Sequence, residues 1–215
     1  MRELRTFATS NYNNLKNLTP TIETNSNISS NCDFYVYGNI MSLVKSTNFA
    51  TTTALTAPYT FVSLFEGNTH LKSHPSNQLL LPATTLTECC YNSMFRGCTG
   101  LSIAPALPAT TLAPFCYKWM FSYCSSLTTA PALLAETLVS GCYDGMFNSC
   151  RSLNYVKCLA KNNILGQNIN RWLTGVASDG IFVKAAGISW PKGNPSNWTT
   201  NIGGGIPSGW TVVEE

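Results

Sequence analysis

"CYNSMFRGC", residues 90–98, returns as "CYKWMFSYC" at 116–124 and as "CYDGMFNSC" at 142–150. Six of the nine cysteines in the chain sit in these three copies of one phrase. Working outward, the phrase belongs to a 26-residue unit repeated without gaps at 81–106, 107–132 and 133–158. A degenerate copy, "TFVSLFEGNTHLKSHP" at 60–75, matches Cys90–Pro105 at an offset of 30. Repeats therefore occupy 59–160, with 59–80 the degenerate unit.

Periodicity within one unit predicts a helix and a strand. The constant positions Leu86, Cys90, Tyr91, Met94, Phe95 and Cys98 cover about half of a helical wheel at 100° per residue. Asn92, Ser93, Arg96 and Gly97, which change between copies, fall on the other half. Thr85 and Glu88 have the spacing of a capping box. Pro114 falls in the first turn of the next copy, where a missing N–H does little harm, and Gly97 and Gly100 offer stops. "LSIAPA" at 101–106 reads as a strand of about four residues ending at its proline, and strands one repeat apart would stack as a parallel ladder. The expected fold is α/β, a leucine-rich-repeat solenoid of 26-residue strand–helix repeats with N- and C-terminal caps; a period in the 20s is the leucine-rich-repeat range.

The flanks supply the caps. Residues 1–30 are polar and Asn-rich and read as a loosely ordered segment. Residues 31–58 contain the alternating "DFYVYGNIM", a strand over the first coil. Residues 161–215 contain "GIFVK" and "GWTVV" as strands, with Trp190, Trp198 and Trp210 as a small core.

The pattern "MFxGCxSLxxAPxLPATTLxxxCYxxMF" across residues 60–160 resembles the BspA-like leucine-rich repeats of surface proteins in Bacteroides and related bacteria. "FYVYGNIMSL" at 34–43 and "GIPSGWTVV" at 205–213 resemble the flanks such repeats carry. The resemblance implies an exported, surface-exposed binding or adhesion module without enzymatic activity, whose partner is a protein or a glycan. The alternative is a structural or virion component that uses the solenoid as a spacer.

Composition points the same way. Charged residues make up 11% of the chain, against about 25% in an average soluble domain, so Thr, Ser and Asn must wet the surface. That balance suits an extracellular or virion-like protein. A net charge of +3 is too small to argue for nucleic acid. No apolar run approaches the ~20 residues that cross a bilayer. The N-terminus has no apolar h-region, so no signal peptide is expected in it. The sequons at Asn17, Asn27 and Asn197 read as accidents of an Asn-, Ser- and Thr-rich chain. A monomer is expected.

The cysteine column Cys98, Cys124, Cys150 is occupied by Asn68 in the degenerate copy. Asparagine can replace a thiol that donates to backbone carbonyls at a bend, but not one in a disulfide. Cys-x-x-Cys is absent, which leaves a zinc ribbon or thioredoxin-like motif unsupported. Cys90 and Cys98 on a helix would be about 12 Å apart along its axis, beyond disulfide reach. Stacked coils about 4.8 Å apart leave cross-repeat bridges open, although parallel side chains make their torsions awkward. Asn68, Cys98, Cys124 and Cys150 are therefore read as a buried structural ladder. Cys32 and Cys89 lie outside both columns and are expected to be partly exposed.

Little else in the chain suggests chemistry. His70 and His74 have the i, i+4 spacing of a metal pair on a helix. Alignment puts them on a strand instead, with no carboxylate nearby in sequence. Neither a metal, nor a cofactor, nor a catalytic residue is expected. Glu136 and Asp144 read as solvated. Tyr91, Tyr117 and Tyr143 and Phe95, Phe121 and Phe147 recur with the repeat and read as core ladders. Trp119 and Tyr123 do not recur and read as exposed. The non-core strand positions form two columns, Lys72, Ser102, Thr128, Asn154 and Ser73, Ile103, Thr129, Tyr155. These are the candidate binding face.

Overall fold

The structure, a computed structural model, describes residues 28, 30–45, 47–193 and 204–215. It corrects the strand–helix expectation. Among the described residues there is no α-helix, only two 3-10 turns at Ile40–Leu43 and Gly166–Asn168. The strands are short and all parallel. The chain is not an α/β strand–helix solenoid.

Where helices were expected, the backbone runs as overlapping four-residue turns. One residue in four takes a left-handed φ: Cys89 (53°), Ser93 (56°) and Gly97 (77°) in one coil, Phe115 (55°), Trp119 (56°) and Tyr123 (62°) in the next. Gly141, Gly145 and Ser149 follow at 59°, 60° and 61°. Left-handed residues at the third position of a turn are the mark of type II turns. The amides of Cys90, Asn92, Met94, Arg96 and Cys98 close turns three residues back. The alternate amides, those of Cys89, Tyr91, Ser93, Phe95 and Gly97, donate to Pro114, Cys116, Lys118, Met120 and Ser122 of the next coil. An α-helix would bond every amide internally. Here half of them bond to a neighbour, which welds successive coils together.

This ribbon turns the same residues inward that a helix would. Cys90, Tyr91, Met94, Phe95 and Cys98 are all buried, as are their counterparts one and two repeats on. Phe65, Phe95, Phe121 and Phe147 stack with ring centroids 5.4, 5.5 and 5.7 Å apart. A second column runs Phe61, Tyr91, Tyr117, Tyr143, Trp172 at 5.5 to 6.2 Å.

The expected strand ladder is also interrupted. No strand forms at 101–106 or 127–132. Pro105 and Pro131 carry no N–H to donate to a ladder. In the fourth unit Lys157 stands at the proline position, and there strand β5 (Tyr155–Cys158) forms. It pairs with β6 (Gly180–Lys184), which pairs with β7 (Trp210–Glu214), in one parallel sheet. At the other end β1 (Phe34–Tyr35) pairs with β3 (Leu71–Lys72), and β2 (Gly38–Asn39) with β4 (Leu79–Leu80).

Trp172 is the pivot of the carboxy-terminal region. It stacks on Tyr143 and on Trp190, meets Phe182 edge-on, and donates its indole N–H to Gly205 O at 3.2 Å. Trp190 and Trp210 are buried. Trp198 lies outside the described residues, as do the sequons and nearly all of residues 1–30.

Candidate functional site

The face expected to bind is a regular array at one end and a looser one at the other. Thr129, Tyr155, Ile181 and Thr211 lie in one register across the coils. The Asn154 amide donates to Thr128 O at 2.9 Å, and the Ile181 amide to Asn154 O at 2.8 Å. The backbone ladder does not carry on to Ser102. The Ser102 and Ile103 amides donate instead to the Ser73 hydroxyl at 3.0 and 2.9 Å. Lys72 sits 3.7 Å from Asp33.

Exposure singles out a few members. Ser102, Thr128, Thr129 and Asn154 are exposed, and Tyr155 is half-buried. Ile103 is 57% exposed, and Ile181 and Val213 are each 43% exposed. Ile181, Thr211 and Val213 escaped the sequence reading because 161–215 was treated as a separate cap. The signal was present: "GIFVK" starts 26 residues after Asn154, one full period. At the margins the charges pair off. Lys157 meets Glu215 and Lys161 meets Glu136, both at 2.6 Å.

The cysteine column lies on the inside. Asn68 Nδ2 donates to Ile28 O at 3.0 Å. The Cys98, Cys124 and Cys150 thiols lie 3.0, 3.1 and 2.9 Å from the carbonyls of Phe65, Phe95 and Phe121, as donors to the coil before. Burial pushes the Cys98 and Cys150 thiols up to about 12 and raises Cys124 well above the ordinary thiol value. Cys90, Cys142 and Cys158 are also raised to about 12, chiefly by burial. Thiolate is the reactive form, so these groups act as neutral donors. All nine cysteines are free thiols. Cys32 is exposed, whereas Cys89 is buried.

A prediction follows for Cys124. Asparagine keeps a donor for Phe95 O and costs about 1–3 kcal/mol through overpacking. Leucine adds an unpaired carbonyl at about 1–3 kcal/mol on top of its own misfit. The Cys124→Asn protein is expected to melt closer to wild type than Cys124→Leu, and a reductant to leave the wild-type midpoint unchanged. Differential scanning calorimetry reads both. A midpoint lowered by reductant would reveal a disulfide, worth about 2–4 kcal/mol.

The outer ribbon face holds more structure than the sequence suggested. Asp144, read as solvated, is buried, 3.1 Å from Lys118 and 3.3 Å from the Asn170 amide group. Trp119 lies flat over Gly145, where an added Cβ would come within 2.8 Å of the indole. The guanidinium groups of Arg96 and Arg171 sit 5.4 and 5.3 Å from its ring centroid, in cation–π range. Tyr123 is 48% exposed.

His70 Nδ1 lies 3.1 Å from Asp33 Oδ1, on the surface. His74 packs against Tyr35 and Tyr37. Among the described residues no three His, Cys, Asp or Glu side chains converge in a way that could hold a metal ion. No described helix is long and apolar enough to cross a membrane. No family model, no curated protein and no solved structure matches this chain.

Proposed function

We propose that the chain is a non-enzymatic binding or adhesion module of the cell surface or extracellular space, which takes an uncharged protein segment or glycan. The observation that carries this reading is the exposed apolar set on this face: Tyr155 and Ile181 in one register, Val213 two residues along β7 from their register partner Thr211, and Ile103 on the looser coil beyond Thr129. Three exposed aliphatic side chains and one half-buried tyrosine share it, and Tyr155, Ile181 and Val213 stand on paired parallel strands. The nearby Lys72, Lys157 and Lys161 each face a carboxylate, which leaves little net charge to attract an ion. The resemblance of residues 60–160 to BspA-like surface proteins supports the same reading.

The test is a screen of the whole chain against arrays of neutral glycans and of proteins, then affinity measurement by calorimetry. Tyr155→Ala and Ile181→Asp are each expected to weaken the ligand at least about tenfold, as central aromatic and aliphatic anchors do. Ligand binding that both variants retain in full would place recognition elsewhere.

A further inference from the structure

The turn between β3 and β4 is held by an imidazole. His74 Nδ1 accepts the backbone amides of Ser76 at 3.0 Å and Asn77 at 2.9 Å. Its Nε2 lies 3.3 Å from the Asn77 side-chain amide. Only a ring whose Nδ1 lone pair is free can accept two N–H groups, so the turn requires neutral histidine with its proton on Nε2, and Nε2–H then donates to the Asn77 side-chain oxygen once that amide is turned to face the ring. The ring stands edge-on between Tyr35 and Tyr37, with centroids 5.1 and 5.0 Å away.

We infer that this turn is a proton-operated latch, closed by neutral His74 and released when Nδ1 takes a proton. The added proton would point at two donors and break both contacts. Ser73, the residue before the latch, holds the amides of Ser102 and Ile103. Gln78, the residue after Asn77, accepts the Gly38 amide at 2.9 Å. Release therefore loosens the tie between the first and second repeat units and the pairing of β2 with β4.

The groups around His74 set the direction. Tyr35 and Tyr37 face it from the amino-terminal strand region. His70 and Lys72 sit on the β3 side with Asp33 opposite, His70 at 3.1 Å and Lys72 at 3.7 Å. β2 and β4 contribute Gly38, Asn39, Leu79 and Leu80, none of them titratable.

Amide exchange of the whole chain, followed by NMR and corrected for intrinsic rate, tests the latch. Protection at Ser76 and Asn77 is expected to fall about tenfold between about pH 7.5 and about pH 5, with a concerted change at Gly38. His74→Asn is expected to remove the response, because a short side-chain carbonyl accepts from nearby backbone N–H groups without titrating. His70→Asn is expected to leave it intact. Unchanged protection at Ser76 and Asn77 while the His74 ring resonances titrate overturns the inference. So does a response that persists in H74N or disappears in H70N.

Discussion

Replacing Phe121 with alanine is expected to cost about 3–5 kcal/mol, the range for deleting a fully buried phenylalanine. Phe121 has no solvent exposure and stacks on Phe95 at 5.5 Å and on Phe147 at 5.7 Å. Its coil is bonded on both sides: its own amide reaches Met146 O, and the Phe95 amide reaches Met120 O. In a stack where each coil touches only its neighbours, damage at an inner coil uncouples the two halves. The same substitution at Phe65, which stacks on Phe95 alone among the described residues, is expected to cost less. The difference is one aromatic contact, about 0.5–1.5 kcal/mol. Urea titration of both variants measures it. A lower slope for Phe121→Ala than for wild type would mark lost cooperativity. Equal losses at the two positions would show that stacking adds nothing to burial.

Gly141→Ala is the second large effect. Gly141 has φ +59°, and a Cβ there would meet the Phe115 ring at 2.3 Å. Left-handed strain contributes about 1–2 kcal/mol and forced repacking of Phe115 about 1–3 kcal/mol more. Gly67 separates the two terms, because its φ is +75° and a Cβ there would meet nothing within 4 Å. Gly67→Ala is expected to show the strain alone. Combining Gly141→Ala with Phe115→Ala should cost less than the sum of the two single changes, since the clash is then gone. Strict additivity would sink the proposed overlap.

Those glycines also explain what the sequence hid. Cys90, Tyr91, Met94, Phe95 and Cys98 repeat with a spacing of four plus one. A helix of 3.6 residues per turn and a ribbon of four-residue turns both bury that set. Burial, repeat length and aromatic columns could therefore be read without knowing which backbone carried them. The discriminating signal lay on the variable side. Gly141 and Gly145 sit four apart in "SGCYDGMF", and two such glycines within one short helix would cost about 1 kcal/mol each. The ribbon places both in its left-handed column.

The strand columns were legible for a different reason, and only in part. Register across β5, β6 and β7 follows the 26-residue period that made Tyr155 a candidate, and the same arithmetic reaches Ile181. The break at Ser102 was not legible from periodicity, because Pro105 and Pro131 recur as faithfully as the leucines do. Their effect is chemical: a ring nitrogen without hydrogen leaves a gap in the ladder, which beyond Pro131 resumes at Leu133. The His74 turn was invisible to any repeat argument, since residues 76–78 belong to the insertion that lengthens the first unit.

The alternate amides of the ribbon have an electrostatic consequence. From Tyr59 to Ser149, each inter-coil bond of the ribbon runs from a donor in one coil to an acceptor in the following coil. Each such peptide carries a dipole of about 3.5 D, and all of them point along the axis of the stack in one sense. Their N–H ends face the carboxy-terminal coils and their carbonyl ends face the amino-terminal ones. The chain therefore carries a fixed electrical polarity, with its positive end where an α-helix would have its negative one. No lysine or glutamate produces it, so neither pH nor side-chain substitution on the surface removes it.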